Sequence, residues 1–95
     1  MNVAWHSLAQ SDLVSLLTYI ANEDPSAALR VHDRIREQVR LLQTYPNLGR
    51  VGRVTGTREL AITDTPFIAV YQVLDSVLIL RILHGAQRWP PTARE

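Results

Sequence analysis

Apolar residues in the first half of the chain recur at the spacing of helices, and those in the second half gather in runs typical of strands. Leu13, Leu16, Leu17 and Ile20 stand three or four positions apart and make one stripe along a helix. Ser7 and Gln10 have the spacing of a capping box just ahead of it, so a first helix is expected from about Leu8 to Ala21, stopping at Asn22-Glu23-Asp24. Asp24 followed by Pro25 is a second start signal, because the carboxylate can accept a backbone N–H and proline at the first helical position has none to lose. The apolar stripe then passes through Ala28, Val31, Ile35, Val39 and Leu42, with charges on the remaining faces, and Tyr45-Pro46 ends a helix expected over about 25–44. So short a link between two helices folds them into an antiparallel hairpin. Leu16, Leu17, Val31 and Ile35 should face whatever layer covers it.

The rest of the chain supplies that layer. Asn2 to Trp5 can form a short strand, while Asn47 to Gly56 holds three of the four glycines and two arginines and is expected to be a basic loop. β-branched and aromatic residues dominate from Thr57 onward, giving strands at about 57–62, 67–74 and 77–84, separated by TDTP and by Asp75-Ser76. The last two runs are apolar on both alternation sets, so both faces of the sheet's centre should be covered. The expected fold is α+β, in the order βααβββ: a two-helix hairpin packed on a small, curved, mainly antiparallel sheet. It forms one domain over residues 1–95. The tail from Arg88 to Glu95, with two prolines, is expected to fray.

Composition narrows the chemistry. A chain that is 46% hydrophobic and 20% charged can bury a core, which argues against disorder. There is no cysteine, and three scattered histidines make a poor ligand set, so neither a metal nor another cofactor is expected. No run approaches the roughly 20 apolar residues that span a bilayer, and MNVAWHS lacks the features of a signal peptide, so a cytoplasmic protein without membrane contact is expected. Net charge is only +1, but all ten basic residues are arginine, whose planar fork suits carboxylates and phosphates.

Four stretches carry a family likeness: TYIANEDPSAA on the first helix, the loop YPNLGRVGRVTGTREL, the strand TPFIAVYQV and the closing SVLILRILHGAQRW. In this order, and over nearly the whole chain, they resemble the RelE/ParE toxins of bacterial type II toxin-antitoxin modules, with GTREL, VYQV and RILHGAQ the most specific parts. The resemblance implies a growth-inhibiting toxin silenced by a small, acidic-tailed cognate antitoxin, through which any DNA contact would run, and a role such as plasmid stabilisation. It implies one of two targets. ParE-like members act on DNA gyrase without known catalytic residues, whereas RelE-like members are ribosome-dependent mRNA endonucleases. The nucleases surround the concave face with cations, often including an arginine just before the stretch that matches VYQV, where this chain has Ile68 and Ala69. Lysine is absent and no tyrosine follows Tyr71, which favours the ParE-like reading.

Particular residues follow from the pattern. Arg81 lies within VLILRILH, where a charge is costly unless paired or facing a cleft. It either pairs with Glu59 on an adjacent strand or faces a target or the antitoxin. Arg58 points to the opposite face from Glu59. Were the chain a nuclease, Arg81 and His84 would be its catalytic pair, His84 acting as general acid or base. Arg50, Arg53 and Arg58, together with Arg88 beside Trp89, are candidates for a basic rim with an aromatic platform, a pairing that suits a target or antitoxin. Acidic residues of an antitoxin are expected to meet Arg30, Arg34, Arg50 or Arg53.

Overall fold

In the computed structural model, which describes residues 1–91, the hairpin signals act where they were read, with one change of capping residue. Helix α1 spans Ser7–Glu23, and its cap is His6, whose Nδ1 accepts the Leu8 N–H at 3.0 Å, rather than the Ser7–Gln10 box. His6 holds the extended conformation that a capping residue needs because it directly follows strand β1, Val3–Trp5. Asp24 caps α2, Pro25–Arg40, by accepting the Ala27 N–H at 3.1 Å. The expected last turn of α2 tightens into a 3₁₀ turn over Leu41–Gln43, which keeps Leu42 fully buried.

Strands β2 (Arg50–Val51), β3 (Arg58–Ala61), β4 (Phe67–Val73) and β5 (Val77–His84) follow, and the sheet order is β1-β5-β4-β3-β2. The chain therefore reads βααββββ. The expected loop 47–56 contains the extra two-residue strand, held antiparallel to β3 by the pairs Arg50 with Glu59 and Val51 with Arg58. Two residues are too short a run for periodicity to register. Strand β1 joins the meander from the far side, parallel to β5, pairing Val3 with Val77 and Trp5 with Ile79.

Strand alternation sends Leu60, Ala69, Tyr71 and Ile79 toward the helices, where they form one core with Ala9, Ile35 and Val39. Leu13, Leu16 and Val31 pack on its edge, as their spacing predicted, while Leu17 is half-buried outside that core. The other alternation set, including Val70 and Leu83, is also buried, so the middle of the sheet is covered on both sides. Helix α1 buries only Ala9 completely and leaves Leu8, Val14 and Tyr19 exposed. These outward apolar side chains present surface that the chain itself does not cover. The frayed end concerns in part residues 92–95, which lie outside the described residues. Before them, Trp89 is half-buried against the sheet rather than loose.

Ile35, with no exposed surface, sits where α2 meets the sheet. Ile35→Ala is expected to cost about 2–5 kcal/mol through lost transfer energy and the cavity left behind, a large share of a small domain's stability. Urea unfolding monitored through tryptophan fluorescence would measure it, and an unchanged midpoint would place α2 on the wrong face.

Candidate functional site

The sequence-predicted arginines are gathered by two carboxylates. Glu59, 2% exposed, is the single buried charged residue among those described. Its Oε1 accepts from Arg50 Nη2 at 3.0 Å and from Arg53 Nη2 at 3.0 Å, while the Arg53 N–H donates to Oε2 at 2.9 Å and Arg53 Nε reaches both oxygens. The two-residue pairing of β2 with β3 delivers both arginines to this point. Burial alone would raise the Glu59 pKa, but the hydrogen bonds from Arg53 and Arg50 outweigh it and hold the carboxyl down at about 2.

The second carboxylate is Asp12 on α1. Arg81 Nε and Nη2 donate to its two oxygens at 2.7 and 3.0 Å, a bidentate fork, and the Ile82 N–H donates to it at 3.0 Å. A bulge in β5 makes this possible. Val70 pairs with Arg81 but Tyr71 pairs with Ile79, so Leu80 is the extra residue that re-aims its neighbours. Of the two alternatives for Arg81, the pair with Glu59 does not form. Val70 of β4 lies in register between them, two strand spacings of roughly 5 Å each, whereas Asp12 arrives directly from the helix layer. The Asp12 hydrogen bonds raise the already high pKa of Arg81 against the effect of burial. The Trp89 ring lies over the Arg81 guanidinium at 5.7 Å, so these two predicted residues do meet, with Arg88 exposed beside them.

Arg58 turns to the helix side and donates to the Gly49 carbonyl at 2.8 Å. Next to it the buried Tyr71 hydroxyl accepts the Gly49 N–H at 2.8 Å and donates to the Pro46 carbonyl at 2.8 Å. A Cβ on Gly49 would come within 2.8 Å of that hydroxyl and of the Glu59 carbonyl, which is why the close approach needs glycine. Tyr71 and Asp12 were not legible as site residues from strand and helix patterns alone. One signal was available for Asp12: it lies one helical turn before Leu16 on the apolar stripe, an acid waiting for a cation, as Arg81 was a cation waiting for an acid.

His84 stands apart at the exposed end of β5, edge-on to Phe67 with ring centroids 5.8 Å apart. It borders a mainly apolar groove of about 530 Å³ between the helices and the sheet end, lined by Leu16, Tyr19, Ile20, Phe67 and Ile82. Its Nδ1 accepts the Ala86 N–H at 3.0 Å. No group of three or more potential metal ligands occurs among the described residues.

Glu59 gives a pH prediction with a definite sign. Its folded pKa of about 2 lies below the ordinary carboxyl value of 4.5, so its contribution is complete above 4.5 and is lost as pH falls through that window toward 2. Glu59→Gln is therefore expected to lower stability by about 3 kcal/mol at neutral pH, with the gap from the parent closing in acid. Denaturant midpoints taken from pH 7 to pH 2.5 would check this, and a gap that does not change with pH would contradict it.

Comparison with known proteins agrees with this architecture. Residues 3–89 match the family model described as the ParE toxin of type II toxin-antitoxin system, parDE. A candidate toxin of Sinorhizobium fredii, Y4kP, is 41% identical over 93% of this chain and 92% of its own length. The toxin RelE2 of Caulobacter vibrioides is 35% identical over 90% of this chain and 96% of its own. A solved structure of the chromosomal ParDE TA system from P. aeruginosa superposes with a TM-score of 0.83 and 33% identity, covering 88% of this chain and 95% of that one. The chain belongs to the ParE toxin family of type II toxin-antitoxin systems.

Proposed function

We propose that this toxin arrests growth by binding DNA gyrase rather than by cutting RNA, and that a cognate antitoxin neutralises it by covering its surface. One observation carries the choice of mechanism: the groups a nuclease would use are occupied within the chain. Cleavage through a 2′-hydroxyl needs a base to take its proton and cations free to stabilise the phosphorane. Arg81 is forked onto Asp12, Arg50 and Arg53 are drawn onto Glu59, and the Nδ1 lone pair of His84 is engaged by Ala86. A protein whose charges satisfy one another offers shape and apolar area to a large partner. The family's place in parDE modules and the match to a ParDE system support an antitoxin partner. No helix among the described residues is long and apolar enough to cross a membrane, which accords with action on a cytoplasmic target.

The target is tested by inducing the chain in a bacterium while following DNA supercoiling, the SOS response and transcript integrity together. Gyrase action predicts broken or relaxed DNA with intact transcripts, and purified toxin should inhibit supercoiling by gyrase in vitro. Transcripts cut within minutes of induction, and spared when His84 becomes Ala, would instead establish the ribosome-dependent endonuclease.

A further inference from the structure

Four of the ten large apolar side chains left exposed among the described residues lie between positions 41 and 51. They are Leu41, Tyr45, Leu48 and Val51, from 39% exposed at Leu41 to 77% at Val51. Turns within the segment keep them together: the Tyr45 N–H donates to the Leu41 carbonyl at 2.8 Å, the Leu48 N–H donates to the Tyr45 carbonyl at 3.0 Å, and Val51 follows in β2. The same segment is fastened from beneath. The buried Tyr71 hydroxyl bonds Pro46 and Gly49, and Arg58 Nη1 donates to the Gly49 carbonyl. Backbone pinned in this way, with apolar side chains turned outward, has already met the entropic cost of ordering, so little more is lost when a partner covers it. Exposed apolar clusters of this kind mark interaction surfaces.

Charge narrows the kind of partner. Along α2 arginines are interleaved with acids: Arg30 lies 4.0 Å from Asp24, and Arg34 reaches Glu37 at 3.4 Å and Asp64 at 3.1 Å. After Glu37 no acidic residue occurs until Glu59. Glu59 is itself buried beneath Arg50 and Arg53, whose side chains remain 67% and 38% exposed, so the rim of the patch shows cations to solvent while the carboxylate stays underneath. A surface with carboxylates around an apolar centre is its electrostatic complement. Nucleic acid fits less well, because Leu41, Leu48 and Val51 are aliphatic and offer neither charge to a phosphate nor a ring on which a base can stack. Projecting side chains need a socket, which a folded partner supplies, whereas an extended tail needs a groove in which to lie.

We propose that residues 41–51, pinned by Tyr71 and Arg58, are the surface with which the toxin grips its target, a folded protein presenting an apolar socket edged by carboxylates. Tyr45, Leu48 and Val51 fill the socket, and Arg50 and Arg53 meet its rim while still holding Glu59. The inference rests on the gyrase reading above and adds to it the contact surface and the chemistry of the contact.

The test uses the full-length toxin, the gyrase holoenzyme and the full-length product of the adjoining reading frame. Y45A/L48A truncates two exposed side chains, and the concentration needed to inhibit supercoiling by half is expected to rise about tenfold or more. Affinity for the second protein should stay within about twofold and the urea midpoint should not move. L29A removes an equally exposed leucine from α2 and should leave inhibition within about twofold. Hydrogen exchange on the unaltered toxin gives a readout independent of any variant's folding: gyrase should slow exchange across residues 41–51. If the unaltered toxin neither binds nor inhibits gyrase, the gyrase reading fails and this surface with it. If the unaltered toxin inhibits and Y45A/L48A inhibits equally well, or gyrase slows exchange only elsewhere, the target stands and this contact surface is overturned. Exchange across 41–51 slowed by the second protein and not by gyrase would assign the segment to the antitoxin and likewise overturn the proposal.

Discussion

The Asp12 carboxylate joins parts of the chain that lie far apart in sequence. It accepts from Arg81 and from the Ile82 N–H, across a sequence separation of about 70 residues, and so fixes the first helix to the last strand at the point where that strand bulges. Strand β1 covers β5 only as far as Ile79, and beyond it Asp12 takes the place of the missing strand as acceptor for Ile82. The guanidinium held by this carboxylate is in turn the surface on which Trp89 rests, which seats the chain's last described turn against the sheet. An isolated charge in a strand as apolar as β5 would be costly, and an isolated carboxylate on the buried stripe of α1 equally so. Each makes the other tolerable, and the helix layer acquires a fixed position relative to the sheet.

Much of the fold was legible because its elements announce themselves locally. Asp24-Pro25, the 3.6-residue stripes of α1 and α2 and the β-branched runs of β3 to β5 depend only on neighbours in sequence, and each element falls within a few residues of its expected span. What escaped is nonlocal. Strand β2 exists because β3 offers it an edge, the cap of α1 passes from Ser7 to His6 because β1 ends there in an extended backbone, and the pairing of Arg81 with Asp12 rather than Glu59 follows from sheet order. The candidate site was legible as a set of residues and not as an arrangement. Arg50 and Arg53 do meet, and so do Arg81 and Trp89, but they meet around carboxylates that pattern reading had assigned elsewhere or passed over.

That arrangement bears on how a small toxin works. Glu59 and Asp12 convert arginines that could have bound phosphate into struts between β2 and β3 and between α1 and β5. Stability in a domain of this size is limited by how much apolar surface it can bury, and buried, well-geometried charge pairs fix the positions of its parts where the core is thin. Apolar area left on α1 then remains available for other molecules.

The parallel pairing of β1 with β5 also dictates when the molecule can be finished. Strand β1 is synthesised well before its partner, Val77 to Ile79, so this edge of the sheet cannot close until β5 has been made. Chains emerge N-terminus first, at roughly 5–20 residues per second, and contacts so distant in sequence form late because loop-closure entropy must be overcome first. The helix hairpin can assemble on the ribosome, but Asp12 has neither Arg81 nor Ile82 to accept from until β5 has been translated. Any surface that spans α1 and β5 therefore waits for β5 to emerge.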